Sequence, residues 1–250
     1  MSADVPGGVA ATLDLADWRR TIGSLYADVR RIAATDPAAA LDRWRGLREQ
    51  LYREHPQSPV PADRRAGFRA AYFEHDPALR FELVVEPLEP PPAAPVSGMT
   101  PPSTLDRAGG GGLDFGSSEG LAGLAIELPV SAGGTMAFRR FGAVTVPFPD
   151  GARRLELYWM EGYAGGLFLP FRDATNGAET YGAGRYLLDA AKSADLGGDR
   201  LARTLIVDFN FAFQPSCAFD PKWACPLAPP ANHLDLAVRA GERLGPERGD

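Results

Sequence analysis

Near the start of the chain, apolar residues recur at three- and four-residue spacing. Trp18, Ile22, Leu25, Tyr26, Val29 and Ile32 fall on one helical face. Asp14 or Asp17 is the expected cap of this helix. Asp36-Pro37 offers a second start, with a carboxylate as N-cap and proline at the first helical position. Leu41, Trp44, Leu47 and Leu51 form the next stripe, and His55-Pro56 ends it. The spacing thus predicts two amphipathic helices joined by a short connection, an antiparallel hairpin whose apolar faces need a partner surface.

After Ser58-Pro59 the period changes. Leu79, Phe81, Leu83 and Val85 alternate with other residues, as in a half-buried strand. Seven prolines lie between Glu86 and Pro102, and Gly109 to Gly112 is a run of four glycines, so 86–120 reads as a linker between residues 1–85 and 121–250. From Leu121 the chain becomes a series of short strands. Leu124 to Val130, Phe138 to Phe148, Arg153 to Glu161, Gly166 to Phe171, Gly184 to Leu188 and Arg203 to Asn210 are the candidates, several separated by Pro-Asp-Gly, Gly-Gly or Asn-Gly turns. The expected fold is mainly β, an antiparallel sandwich or barrel of about seven to eight strands with the helical hairpin at its N-terminus. Residues 1–85 and 121–250 are expected to form one structural unit.

Composition narrows the function classes. A net charge of −6 argues against electrostatically driven binding to nucleic acid or an anionic membrane. No run approaches the roughly 18 apolar residues of a membrane span, and residues 1–14 lack the basic and apolar regions of a signal peptide, so the expected compartment is the cytoplasm. The arginines of the second helix, Arg43, Arg45, Arg48 and Arg53, read as a solvated face. Two cysteines, Cys217 and Cys225, do not make a disulfide framework. They are expected reduced and metal-free, with a redox pair as the alternative. Their spacing to each other and to His233 is wide for zinc, and no other metal motif is present. Gly116-Ser117-Ser118-Glu119-Gly120 fits the nucleophile-elbow pattern without the strand and helix it requires. Gly182-Ala183-Gly184-Arg185 reads as a bend entering a strand.

Three segments stand out together: Gly166-Leu167-Phe168-Leu169-Pro170-Phe171-Arg172-Asp173, running through Asn176-Gly177 into Glu179-Thr180-Tyr181-Gly182; Asp208-Phe209-Asn210-Phe211-Ala212-Phe213; and Cys225-Pro226-Leu227 through Asn232 to Ala240-Gly241-Glu242. Trp18, Ser58-Pro59 and Tyr72-Phe73-Glu74-His75-Asp76-Pro77 precede them. This series resembles the uncharacterised bacterial family known as domain of unknown function 1684. The resemblance implies a mostly-β fold with N-terminal helices and carries no assigned catalytic residues, cofactor or partner.

Half of the aromatic residues lie between Tyr158 and Trp223, around several charges. If the strand runs to Asn210, Asp208 and Asn210 share a face with Ile206, which suits a pocket wall. The expected site therefore comprises Asp208 and Glu179 as carboxylate acid and base, with Arg185, Asn210, Tyr181, Asp173 and Phe171 binding a small molecule. The cysteine loop would close it. The competing readings are a non-catalytic binding or interaction module and a thiol-based redox protein. No cofactor, reaction or oligomeric state follows from the residues. Limited proteolysis is expected to cut first within 86–112, and early cleavage inside Leu124 to Val130 would overturn the linker assignment.

Overall fold

The computed structural model describes residues 8–88, 123–162 and 165–245. Most of the expected linker, including Gly116–Gly120, lies outside them. Helices α1 (Val9–Ala33) and α2 (Pro37–Glu54) form the hairpin. Asp36 accepts a hydrogen bond from the Ala39 amide at 3.0 Å, with Pro37 in the first turn. Helix α1 starts earlier than expected, behind Gly8 and without a side-chain cap, so Asp14 and Asp17 lie inside it. The strong helix former alanine at positions 10 and 11 extends the helix upstream of either carboxylate.

The arginines of α2 do not form one solvated face. Arg48 lies four residues after Trp44 and three before Leu51, on the apolar stripe itself, and is buried. Its guanidinium bonds Glu242 Oε1 at 2.7 Å and lies over the rings of Trp44, Tyr52 and Phe213. Arg45 stacks over Tyr72, and Arg43 reaches Asp28 at 3.4 Å on the surface.

The main sheet has six antiparallel strands: β3 (Glu86–Pro87), β4 (Leu124–Pro129), β5 (Thr135–Phe148), β6 (Gly151–Met160), β7 (Gly166–Phe171) and β8 (Arg185–Asp189). Its order is β3-β5-β6-β7-β8, and β4 also pairs with β5. The sheet stays open, which decides against a closed barrel. Strands β3 and β4 lie end to end on the same edge of β5, β4 opposite Thr135–Arg140 and β3 opposite Gly142–Ala143. Gly142 permits that approach, since a Cβ there would meet Val85 at 2.9 Å. Glu86–Pro87 thus forms a short edge pair where the sequence predicted irregular chain, and Pro87 sits at an edge, where a missing amide is tolerated.

A second, two-stranded sheet joins β2 (Arg80–Val84) to β9 (Thr204–Asp208), and a third joins β1 (Ala71–Tyr72) to β10 (Glu242–Arg243). The two-residue strands β1, β3 and β10 are too short to show alternation, so the sequence pattern misses them. The β2–β9 ladder packs on the main sheet through Leu83, Val207 and Phe209 against Val146, Leu157 and Phe171. The helical hairpin packs through Leu25, Tyr26 and Trp44 against Phe138, Phe168 and Tyr186. The arrangement is sandwich-like, with apolar cores on both sides of the main sheet. Gly184 enters β8 at φ +103°, which only glycine adopts readily and which accounts for the Gly-x-Gly bend.

Because residues 8–84 and the last strands share ladders and the buried Arg48–Glu242 pair, unfolding is expected as one transition by near- and far-ultraviolet circular dichroism. Arg48→Met alone should cost about 3–5 kcal/mol by leaving Glu242 charged and alone. Arg48→Met combined with Glu242→Gln should cost clearly less in urea titration, and equal costs would refute the pairing argument.

Candidate functional site

Asp208 is buried at the end of β9, and the chain then turns into a single 3-10 turn, Phe209–Phe211. The strand therefore stops two residues short of Asn210, because Asp208 Oδ1 caps the turn by accepting from the Asn210 amide at 2.9 Å. Asn210 also donates to Asp208 Oδ1 at 2.8 Å and brackets the backbone of Asp76, donating to its carbonyl and accepting from its amide. The guanidinium near Asp208 is Arg80, at 3.4 Å, and not the expected Arg185. Burial raises the Asp208 pKa, and the Asn210 and Arg80 hydrogen bonds oppose that rise.

Arg185 is wholly buried and holds a different part of the chain. It bonds Asp173 at 2.9 Å, the Val238 carbonyl at 2.7 Å, the Glu242 carbonyl at 3.2 Å, and the Ala240 carbonyl. Its guanidinium lies 5.0 Å from the centre of the Phe171 ring, itself a core residue. Asp173 also accepts from the Val238 amide and from Thr175. Burial lowers the Arg185 pKa, and Asp173 opposes it. Glu179 stands at the surface in a two-pronged pair with Arg239, at 2.8 Å, which lowers its pKa. Tyr181 is half-buried and turned toward Cys217. The residues expected to form one cluster thus fall into separate groups: Asp208, Asn210 and Arg80; Asp173, Arg185 and the 238–242 strap; Glu179 and Arg239; Tyr181 and the thiols.

Concave space lies elsewhere, on two sides of the joint made by Arg48, Glu242 and Gln214. Gln214 is buried, donates its backbone N–H to Glu242 Oε2 at 2.7 Å and lines both cavities, and among the described residues its side-chain Oε1 has no hydrogen-bond partner. The first cavity, about 180 Å³, has Phe68, Phe219, Arg64, Arg69 and Arg243 among its lining residues, and the Arg243 guanidinium lies 5.8 Å from the centre of the Phe73 ring. Among the described residues none of these three arginines makes an ion pair. Arg64 donates to the Phe219 carbonyl at 2.6 Å and Arg69 to the Phe68 carbonyl at 2.7 Å. Among the described residues the one lining carboxylate, Glu242, is already paired with Arg48.

The second cavity, about 200 Å³, opens between α1 and the cysteine loop, with Trp18, Tyr26, Phe213, Trp223, Lys192 and Cys225 among its walls. Lys192 is half-exposed and bonds the buried Asp189 at 2.9 Å. Burial pushes the Tyr26 phenol up to about 12, so it is a neutral donor and acceptor at physiological pH. Neither cavity is lined by Asp208, Asn210, Asp173, Arg185 or Glu179.

Residues 120–243 match the family model described as "Protein of unknown function (DUF1684)". Over these residues, just under half of the chain, the sequence is similar to that family. An uncharacterized protein from Haloarcula marismortui, solved in solution by NMR, is 27% identical to this chain and superposes with a TM-score of 0.53, covering 84% of this chain and 95% of its own. No curated protein matches the chain.

The motifs of this region now have a structural explanation. Asp208-x-Asn210 is a cap and bracket, and Ala240-Gly241-Glu242 is the strap that Arg185 and Arg48 hold. Gly241 has φ +76°, and a Cβ there would press into the Ala212 carbonyl. Cys217 and Cys225 are buried free thiols that hydrogen-bond to each other, and the Cys217 amide donates to Cys225 Sγ at 3.3 Å. His233 lies apart from them, bonding the Ala228 carbonyl, and among the described residues no three His, Cys, Asp or Glu side chains form a metal-ligand set. No helix among the described residues is long and apolar enough to cross a membrane.

The Asp208 environment makes a pH prediction. Its folded pKa is raised above the ordinary value of 3.8, so the folded protein holds this proton more tightly than the unfolded chain. Stability from this group is present below that ordinary value and is lost as pH rises through the folded pKa. The stability of the native protein minus that of Asp208→Asn should therefore fall as pH rises from about 3.8. A difference that grows with pH would show that Arg80 outweighs burial.

Proposed function

We propose that this protein binds a small carboxylate with an apolar or aromatic body in the arginine-lined cavity. The observation that carries the reading is the charge imbalance of that cavity. Among the described residues three arginines line one concavity whose single lining carboxylate is paired with Arg48, in a chain whose net charge is −6. Guanidiniums suit a carboxylate by their forked donors, while Phe68 and Phe219 offer the ligand's body an apolar surface. The bare Oε1 of buried Gln214 supplies an acceptor for a donor group on the ligand. At about 180 Å³ the cavity is smaller than the roughly 300–1,000 Å³ of drug-sized sites, so the ligand has the size of a single aryl or short-chain acid.

The reading is one of binding. Asp208 and Glu179, the carboxylates expected to act as acid and base, are engaged by Arg80 and Arg239 away from both cavities.

Native mass spectrometry of the purified protein, followed by titration calorimetry with a series of aryl and alkyl carboxylates and their neutral amides, tests this proposal. The acids should bind and the amides should bind at least about tenfold more weakly, as the loss of a charge-assisted hydrogen bond requires. Arg69→Ala and Arg243→Ala should each weaken acid binding roughly threefold to tenfold. Equal affinity for acids and amides, or no effect of either substitution, would overturn the proposal.

A further inference from the structure

The thiol pair lies outside the arginine-lined cavity and carries a separate chemistry. Cys217 and Cys225 stand on a short loop that brings their sulfurs into hydrogen-bonding contact without a covalent bond. The Cys225 thiol and the Tyr181 phenol are side-chain donors to Cys217, with the Ser131 hydroxyl beside it. Ser131 is itself fixed, accepting from the Cys225 amide at 3.0 Å and donating to the Trp223 carbonyl at 2.9 Å. Cys217 is the more exposed of the two, at 6% against 2%.

We propose that Cys217 and Cys225 form a dithiol site oxidised by hydroperoxides, with Cys217 as the attacking thiolate and Cys225 as the resolving thiol. The Cys225 hydrogen bond outweighs burial and lowers the Cys217 pKa, while the role of donor, with burial, raises that of Cys225. The lowered pKa favours the thiolate at Cys217, the reactive form of the group. Lys192 adds positive charge near the pair, and Asp189, which bonds it, and the buried phenol of Tyr186 are the other titratable groups close by.

In the first step Cys217 Sγ attacks the terminal oxygen of ROOH. A sulfur–oxygen bond forms, the oxygen–oxygen bond breaks, and the leaving alkoxide takes the Cys225 thiol proton to give ROH and a sulfenic acid on Cys217. In the second step the Cys225 thiolate attacks Cys217 Sγ. The disulfide forms, the sulfur–oxygen bond breaks, and hydroxide leaves. The two sulfurs together lose two electrons and the peroxide gains two. An external dithiol, of the class to which dithiothreitol belongs, returns the pair to its reduced state. Burial favours hydrogen peroxide and small alkyl hydroperoxides over bulky disulfides as oxidants.

The test treats the full chain with stoichiometric hydrogen peroxide at neutral pH and reads intact mass and peptide maps. The expected product has lost two hydrogens, carries Cys217 joined to Cys225, and reverts with dithiothreitol. In Cys225→Ser the disulfide is lost and a dimedone-reactive sulfenic acid collects at Cys217. In Cys217→Ser, and in Cys217→Ala as a second variant, oxidation of Cys225 slows about tenfold or more. Native protein that keeps both thiols free after excess peroxide would overturn the proposal, as would Cys225 reacting at the native rate once Cys217 is removed. Neither result bears on carboxylate binding, so the two readings fail separately.

Discussion

Two buried guanidiniums hold the last described segment of the chain to the helices and sheet before it. Arg185, from the main sheet, bonds the carbonyls of Val238, Ala240 and Glu242, and Arg48, from the second helix, bonds the Glu242 carboxylate. Arginine suits this task because its planar donors satisfy several carbonyls at once and its weak hydration lowers the cost of burial. Each charge has a partner, Asp173 for Arg185 and Glu242 for Arg48, so neither is left alone in an apolar interior. The carboxylates are in turn tied to backbone amides, Asp173 to Val238 and Glu242 to Gln214. Helix, sheet and strap are therefore coupled through polar groups that work only as a set.

The same joint explains where the cavities lie. Arg48, Glu242 and Gln214 fill a polar seam between the helical hairpin and the strap, and apolar side chains cannot close over its two flanks without burying unpaired donors. The flanks remain concave, one lined by arginines and one by aromatic rings beside the thiols. Structural need and available space thus coincide at one place in the molecule, away from the carboxylates that aromatic enrichment singled out.

Much of the fold was legible because its signals are local. The stripe of Trp18 to Ile32, the Asp36-Pro37 start and the alternation of Leu124 to Val130 each appear as the expected element. The site was far less legible. Asp208 and Asn210 share a face only if the strand continues, and a side-chain cap on the following turn cannot be read from alternation. Partner choice was the second obstacle, since nothing in the chain order tells Asp208 to meet Arg80, or Arg185 to meet Asp173. Arg48 did carry a readable signal. A charge at stripe spacing between Trp44 and Leu51 is an inward-facing residue that must find an acid, and reading it as part of a solvated face passed over that phase.

Strands β3 and β4 occupy neighbouring stretches of one edge of β5, so Pro87 and Leu124 lie close together although distant in sequence. The sheet itself therefore holds these two points of the chain near each other. The entropy of joining two points by a flexible chain grows only with the logarithm of its length, about 0.6 kcal/mol for each doubling. An edge built this way sets little constraint on how many residues lie between its two halves. It is a point where the length of the chain can drift over evolutionary time while the sheet, the strap and the cavities beside it keep their geometry.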